Sequence, residues 1–375
     1  MIRISSEFDA GNILCAGCEN PSDIQLSIRK DNRSDFYQWF YFRLSGAADT
    51  ACSLKILNAA GAAYPGGWEN YQAVASYDRD IWFRVPTRYE NGCLIIEITP
   101  DQESLYLAYF APYSLERHCD LISHTLRSPL VALTVLGSTC DGRDIECLTI
   151  GEDSANKKHY WAIARQHPGE TMAEWWMEGF LDRLLDEDDA VSRALLENIV
   201  FHVVPNMNPD GSFRGHLRTN AVGANLNREW AEPTEERSPE VFHVKQEMER
   251  TGVDFCLDVH GDETLPYNFI AGTEGVEQWN DARNDVLIGF KKTLQAINPD
   301  FQLANGYPPN LRGKANLSLC SNNIAHTFNC LAMTLEMPFK DTADTPQPDI
   351  GWSPERSRAL GASCLQAIYA ATTEF

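Results

Sequence analysis

Residues 159–185 read HYWAIARQHPGETMAEWWMEGFLDRLL and predict a strand, a turn and a helix in succession. The mostly apolar run from His159 to Arg165 is typical of a buried strand. From about Thr171 to Leu185, apolar residues recur at helical spacing and form a core-facing stripe. The stripe comprises Ala173, Trp176, Met177, Phe180, Leu181 and Leu184. The turn between strand and helix carries a histidine and a glutamate three positions apart, which can direct an imidazole and a carboxylate at one metal ion.

A His-x-x-Glu pattern is weak by itself, and this chain contains two. The first is His167-Pro-Gly-Glu170, and the second, His260-Gly-Asp-Glu263, also follows an apolar strand. A predicted helix follows Glu170, whereas residues 264–272, which follow Glu263, indicate a turn and a strand. The sequence therefore predicts one zinc per chain, with His167 and Glu170 as two ligands and His260 as the third from a neighbouring strand.

Composition limits the class of protein. A chain of 375 residues with 43% hydrophobic content can bury a large core, and its length suggests two domains. The net charge of −22 and a pI near 4.7 argue against nucleic acid or an anionic membrane as a partner. No charged region followed by an apolar run stands near Met1, and no stretch approaches the roughly 18 apolar residues of a membrane helix. We therefore expect a cytoplasmic protein.

The pattern of elements changes near residue 112. Residues 1–112 hold short alternating segments separated by Gly, Asn and Pro clusters, which predicts a small all-β, antiparallel sandwich. Residues 113–375 alternate strands and helices, which predicts an α/β catalytic domain whose mixed sheet is largely parallel and flanked by helices. In this second part we expect strands at 131–136, 145–150, 160–164, 199–204, 255–259 and 332–335, and helices at 171–185, 188–198, 238–251, 279–297 and 354–371.

The predicted strand ends hold the candidate chemistry. His167, His260 and Glu336 each fall where a predicted strand ends, and ligands of α/β sheets bind beyond the carboxyl ends of the strands. Residues 205–230 are expected to form a long irregular loop, which in a compact domain is often functional. Its arginines and amide side chains suit recognition of a carboxylate or an oxyanion.

Several motifs follow one another along the chain in a fixed order: His167-Pro-Gly-Glu170, Asn208-Pro-Asp-Gly211, Arg218, Asn227-Arg228, His260 and Thr334-Leu-Glu336. Taken in this order, they resemble the zinc metallocarboxypeptidases. The aromatic segment Phe36–Arg43 is similar to the domain that precedes the catalytic one in the cytosolic carboxypeptidase-like branch. The resemblance covers nearly the whole chain.

The resemblance implies a role for each of these residues in hydrolysis of the C-terminal peptide bond of peptides or proteins. It places zinc on His167, Glu170 and His260 with a water in the fourth position. It also makes Glu336 the general base and later proton donor, and Arg218 the group that stabilises the oxyanion. Asn227 and Arg228 would hold the terminal carboxylate of the substrate. Each role suits its side chain, because a carboxylate can accept a proton and a guanidinium can offset negative charge.

The chain departs from the family pattern at two places. Asn225 stands where the family commonly has an aspartate that accepts a hydrogen bond from a ligand histidine, and a neutral acceptor orients the ring less strongly. Asn322 and Asn323 stand near the position of the basic residue found in relatives that cleave C-terminal glutamate. A preference that is not strictly acidic is therefore expected.

Three further residues are candidates for missing parts of the family pattern. Arg312 and Lys314 are the nearest cations that could replace the basic residue, and Tyr307 is the candidate for the active-site tyrosine of the family.

Two other functions fit parts of the same pattern. One is an N-acyl amino acid amidohydrolase of the aspartoacylase or succinylglutamate desuccinylase kind, which also uses a His-x-x-Glu and a later histidine. The other is a catalytically inactive binding module of carboxypeptidase shape. The Asn-Pro-Asp-Gly segment, the preceding β domain and the late Thr-Leu-Glu favour the carboxypeptidase over the first, and the presence of every ligand and of Glu336 disfavours the second.

Overall fold

The computed structural model describes residues 1–372, and the first ten strands form two five-stranded sheets. One sheet has the order β1-β4-β10-β6-β7 and the other β2-β3-β5-β9-β8. The expected all-β domain is confirmed, although β3 and β5 run parallel within an otherwise antiparallel arrangement. The strands are β1 Arg3–Ser5, β2 Leu14–Gly17, β3 Ile24–Ser27, β4 Tyr41–Ser45, β5 Cys52–Ile56, β6 Val74–Ser76, β7 Phe83–Arg84, β8 Thr87–Glu90, β9 Cys93–Ile98 and β10 Ser104–Ala108.

The aromatic run of residues 36–44 predicts one strand, but pairing begins only at Tyr41, so residues 36–40 precede β4. Gln38 is fully buried and its Nε2 donates to the Tyr64 carbonyl at 3.1 Å and the Tyr109 hydroxyl at 3.0 Å. Trp39 donates its indole N–H to the Ala10 carbonyl at 2.9 Å. These side-chain bonds, all to other residues of the N-terminal domain, hold the segment as an ordered loop.

A seven-stranded mixed sheet forms the centre of the second domain, in the order β11-β12-β14-β13-β15-β17-β16. The four central strands, β14, β13, β15 and β17, run parallel, and antiparallel strands complete both edges. The chain leaves β13 on one side to form β14 and returns on the other side as β15, so the order reverses at β13. The strands are β11 Val131–Ser138, β12 Asp144–Ile150, β13 Lys158–Ala164, β14 Ile199–Val204, β15 Phe255–Asp262, β16 Phe269–Ala271 and β17 Leu331–Pro338.

Eight α-helices accompany this sheet within residues 1–372. The sequence did not predict three of them: α1, whose Ser114 cap accepts a hydrogen bond from the Arg117 N–H at 3.2 Å, α4, which replaces part of the expected irregular loop, and α7. None of the described helices is long and apolar enough to cross a membrane. The helices are α1 Leu115–Thr125, α2 Met172–Leu184, α3 Ala190–Asn198, α4 Pro209–Arg214, α5 Pro239–Thr251, α6 Asp281–Ile297, α7 Cys320–Phe328 and α8 Pro354–Thr372.

Helix α2, which follows the turn that carries His167 and Glu170, packs closely against α8. Every residue of the predicted apolar stripe on α2 is buried. Gly179 and Gly361 allow the two helices to approach, because a Cβ at Gly179 would lie 2.1 Å from the Arg358 carbonyl oxygen and one at Gly361 would lie 2.1 Å from that of Trp176. Neither backbone contact can give way cheaply, so α2 and α8 are held in close contact.

A buried ionic cluster ties α1 and β12 to α2. Glu174 is fully buried, and its Oε2 accepts from Arg165 Nη1 at 2.6 Å and from Asn206 Nδ2 at 3.2 Å. His118 Nδ1 lies 2.6 Å from Glu174 Oε1, and His118 Nε2 lies 2.8 Å from Glu146 Oε2. Burial would lower the pKa of His118, but the two carboxylates outweigh it and raise that pKa to about 9.

This raised pKa predicts a specific dependence of stability on pH. The folded-state pKa lies above the unfolded value of about 6.5, so His118 contributes stability below pH 6.5 that is lost as the pH rises through about 9. His118→Gln should therefore lower Tm most below about pH 6.5, and its difference from the wild type should shrink as the pH rises through about 9. Thermal unfolding of both proteins across this range measures the effect, and a constant difference would contradict it.

Candidate metal centre and substrate cleft

The turn after β13 is held from both sides. Arg165 adopts a left-handed backbone conformation with φ of 60°, and its guanidinium donates to the Tyr113 carbonyl at 2.8 Å and the Pro168 carbonyl at 3.1 Å. Gly169 donates its N–H to the Leu217 carbonyl at 2.9 Å, and a Cβ there would lie 2.9 Å from the same oxygen. The turn consequently presents His167 at a fixed place beyond the sheet.

The structure brings the three predicted zinc ligands together. His167 Nδ1 lies 2.7 Å from Glu170 Oε1, and His260 Nδ1 lies 2.8 Å from Glu170 Oε2 and 3.2 Å from His167 Nδ1. All three side chains are buried. Within residues 1–372, this is the one group of three or more His, Cys, Asp or Glu residues with metal-binding geometry.

The outer nitrogens of both histidines have partners that direct the Nδ1 atoms inward. His167 Nε2 lies 3.1 Å from Asn225 Oδ1, the neutral acceptor anticipated from the sequence. His260 Nε2 lies 3.0 Å from Asp258 Oδ2. Such partners orient metal-binding imidazoles, and a carboxylate does so more strongly than an amide.

Asp258 is a functional residue that the sequence analysis missed. It is fully buried, and both of its oxygens accept from Gln166 Nε2, at 2.9 and 2.8 Å. The indole N–H of Trp230 in turn donates to Gln166 Oε1 at 2.8 Å. The clue was available, because residues two apart on a strand share one face and Asp258 precedes His260 by two.

Glu336 lies directly beside the third ligand. In the pairing of β15 with β17, His260 is the register partner of Glu336. The expectation that both residues follow their strands was wrong, since the pairing continues to Asp262 and Pro338 and includes them. Glu336 Oε2 is buried and has no hydrogen-bond partner among residues 1–372, so it is free to accept a bond from a ligand.

Carboxyl groups crowd the site. Burial raises the pKa of Glu336 well above its usual range, and Glu170, Asp262 and Glu263 act in the same direction. Burial also raises the pKa of Glu263, and the carboxyl groups of Glu170 and Asp262 raise it further. A divalent cation between the three ligands would offset this repulsion, because a bound ion is the largest local charge in such a site. The donor set and the unpartnered Glu336 oxygen thus fit a catalytic metal.

Arg218 reaches the cleft with a free guanidinium. The side chain is 9% exposed and lies 5.6 Å from the ring centroid of Phe36 and 5.4 Å from that of Tyr64. Within residues 1–372, no hydrogen bond or ion pair engages its side chain. Its N–H groups are therefore available to an anionic group beside the ligands.

Asn227 and Arg228 differ in how far they are free to bind. Asn227 Oδ1 accepts the Cys320 N–H at 2.8 Å, and its Nδ2 lies 3.4 Å from His260 Nε2, so its amide is partly occupied. Arg228 is exposed, and its Nη1 donates to the carbonyl of Asn227 at 2.6 Å. Arg228 also lines the cleft.

The ligands line a cavity of about 970 Å³ that also includes Tyr307, whose hydroxyl bonds to the Asp262 carboxylate. Asn322 lines the same cavity and donates to the Asn316 carbonyl at 3.1 Å. Asn323 is turned to the Leu317 carbonyl at 2.9 Å.

The two cations proposed to replace the basic residue of the family do not line the cavity. Arg312 and Lys314 are outside the cavity lining, and Lys291 of α6 supplies a cation from another part of the chain. Glu274 lines the same region of the cavity.

Two protein-family models match this chain. The model of the cytosolic carboxypeptidase N-terminal domain matches residues 4–110, and the model of zinc carboxypeptidase matches residues 123–345. An uncharacterized protein of Zymomonas mobilis is 52% identical over 98% of this chain and 96% of its own length. Human cytosolic carboxypeptidase 4 is 28% identical over 79% of this chain, which spans 31% of the human protein.

Two solved structures are similar over the whole chain. A metallo-carboxypeptidase from Burkholderia cenocepacia has 48% identity and a TM-score of 0.98, covering 100% of both chains. A metallo-carboxypeptidase from Pseudomonas aeruginosa, in complex with (2-guanidinoethylmercapto)succinic acid, has 45% identity and a TM-score of 0.96, covering 99% of both. These matches support a metallocarboxypeptidase over the amidohydrolase alternative. The domain that precedes the catalytic domain matches the N-terminal domain of the cytosolic carboxypeptidases, and the chain belongs to the zinc carboxypeptidase family.

Proposed function

We propose that this protein is a zinc-dependent carboxypeptidase that hydrolyses the C-terminal peptide bond of peptides or proteins. The observation that carries the proposal is the convergence of His167, Glu170 and His260 beside the unpartnered carboxyl of Glu336. Two imidazoles and one carboxylate form a ligand set typical of catalytic zinc, which leaves a coordination position open. One zinc per chain is expected there, and it would polarise a carbonyl and lower the pKa of a water molecule.

Glu336 is the proposed general base. Its carboxyl lies in the register position opposite His260 and has a buried oxygen without a partner in the described chain. From there it takes a proton from the attacking water and later delivers it to the leaving amine. Positioned proton transfer of this kind typically accounts for about 10²–10⁴-fold in rate.

Arg218 is the proposed stabiliser of the oxyanion that develops on the scissile carbonyl. Its guanidinium is free of protein hydrogen bonds within the described residues and lies 5.6 and 5.4 Å from the centroids of two aromatic rings. A cation fixed in a cleft that excludes water stabilises developing negative charge without having to reorganise.

Arg228 and Asn227 are the proposed site for the terminal carboxylate of the substrate. Arg228 offers unused guanidinium donors, and the amide of Asn227 is fixed by its bond from the Cys320 N–H. A planar guanidinium can bind a carboxylate through two parallel bonds, which distinguishes a chain end from an internal peptide bond.

The proposed preference for the last residue is not strictly acidic. Asn322 is uncharged and engaged with backbone, and Lys291 and Glu274 place opposite charges in the same cavity. The ligand of the Pseudomonas aeruginosa relative, (2-guanidinoethylmercapto)succinic acid, combines a cationic group with carboxylates. A cleft with both signs of charge accords with substrates of more than one kind.

Amidating the C-terminus of a peptide should nearly stop its cleavage. Amidation removes both the charge and the bidentate acceptor, and loss of a charge-assisted partner costs about 1.5–3 kcal/mol, or at least roughly tenfold in kcat/KM. Peptides that differ only in the last residue, assayed as free acids and amides with and without a chelator, test this. Arg228→Ala should weaken cleavage of free acids and leave that of amides unchanged, whereas Arg218→Ala should slow both.

Arg237→Ala is the matched control, because Arg237 is exposed and pairs with Glu229 instead. Equal cleavage of free acids and amides would rule out recognition of the terminal carboxylate. Release of only an acyl group from small N-acyl amino acids would favour the amidohydrolase.

A further inference from the structure

A carboxylate of the N-terminal domain holds the backbone that carries Arg218. Asp31 is 3% exposed, and its Oδ1 accepts the Leu217 N–H at 2.7 Å. Its Oδ2 accepts the N–H groups of Arg218 at 2.8 Å and Thr219 at 2.9 Å, and the Thr219 hydroxyl at 3.1 Å. Three successive backbone N–H groups form an anion-binding concavity, and here a side chain from more than 180 positions earlier occupies it.

A second bond path fixes the same segment. The Asn32 N–H donates to His216 Nε2 at 3.1 Å, and His216 Nδ1 lies 2.9 Å from the Thr219 carbonyl. Because Nε2 accepts, His216 carries its proton on Nδ1 and donates it to that carbonyl. Residues 216–219 are therefore closed into a loop whose shape depends on residues 31 and 32.

The side chain of Arg218 also rests on the N-terminal domain. Phe36 and Tyr64, whose rings lie 5.6 and 5.4 Å from the guanidinium carbon, both belong to that domain. Aromatic faces attract a guanidinium and leave its in-plane N–H groups free. Backbone and guanidinium are thus both placed from outside the catalytic domain.

We propose that the N-terminal domain completes the active site by positioning Arg218, with Asp31 as the positioning residue. This inference rests on the proposed function in assigning Arg218 to the oxyanion. A misplacement of about 1 Å in such a group can cost about 10²-fold in rate, so the bonds from Asp31 matter for kcat. If Asp31 served only to join the two domains, its effect on kcat would not depend on Arg218.

Asp31→Asn tests the proposal, because asparagine keeps the shape of the side chain but replaces one accepting oxygen with an NH₂ group. That group cannot accept hydrogen bonds from the N–H donors that bind Asp31. We expect kcat to fall about tenfold or more with KM within about threefold, and zinc content to be unchanged. Asp35→Asn is the matched control, since its side chain is 96% exposed in the same segment and pairs with Lys30. It should behave as the wild type.

The decisive measurement is the same substitution in an Arg218→Ala background. If Asp31 acts through Arg218, the double variant should have the kcat of Arg218→Ala alone. A further tenfold loss in the double variant, or a wild-type kcat for Asp31→Asn, would overturn the proposal. If Asp31→Asn proves too unstable to assay, Phe36→Leu removes one ring without touching these hydrogen bonds and should show the same dependence on Arg218.

Different results would contradict the proposed function and the positioning role of Asp31. A wild type without peptidase activity, or an Arg218→Ala variant with full activity, would remove the proposed function itself. An impaired Arg218→Ala beside an unimpaired Asp31→Asn would leave the proposed function standing and remove only the role of the N-terminal domain.

Discussion

Glu336→Gln is expected to lower kcat by about 10²–10⁴-fold while zinc content and Tm stay close to those of the wild type. The amide has nearly the shape of the carboxyl but cannot take a proton from the attacking water. Fold should be spared because Glu336 Oε2 makes no hydrogen bond within the described chain, so the substitution removes none there. Stopped assays on a free-acid peptide, with zinc analysis of the same preparations, measure both effects.

Glu277→Gln serves as the control for this experiment, since Glu277 is exposed and outside the cleft lining. Activity of Glu336→Gln above about a tenth of the wild type would exclude Glu336 as the base.

His260→Ala is expected to reduce zinc from about one per chain to near zero and to abolish turnover, and His167→Ala should do the same. Each imidazole supplies one of three ligands, and the two remaining donors do not make a tight site for zinc. Elemental analysis after dialysis against metal-free buffer gives the content directly. A wild type without zinc, even after supplementation of the growth medium, would count against the site.

His202→Ala is the matched control for the loss of metal. His202 is also a buried histidine on a strand of the same sheet, but it stacks on Trp161 and lies 2.9 Å from His159 Nδ1. This variant should keep its zinc even if the lost packing lowers Tm.

The sequence was sufficient for the elements that carry a local pattern. Residues 159–185 predicted a strand, a turn and a helix because a continuous apolar run is followed by apolar residues at helical spacing. The structure has β13 and α2 there. Helix α1 was missed because it is short and its buried face includes His118 and Thr125, which do not mark an apolar stripe.

The site could be predicted only where residue types, their order and the family resemblance point to a chemistry. His167, Glu170, His260 and Glu336 were proposed in this way, but the distances between them depend on which strands become neighbours. The roles of Asp31 and Asp258 depend on such contacts alone. Asp31 reads as an ordinary turn residue until residues 217–219 are placed against it.

The pairing of His260 with Glu336 has a consequence for how this enzyme can change in evolution. Because the two residues are opposite each other in a parallel ladder, their separation is a property of the backbone. A one-residue insertion or deletion upstream in β15 or β17 would turn every later side chain to the opposite face. Length changes can therefore accumulate in the loops around the cleft and alter what is bound. A one-residue length change within β15 would instead displace His260, and one within β17 would displace Glu336, so that the two side chains no longer face each other.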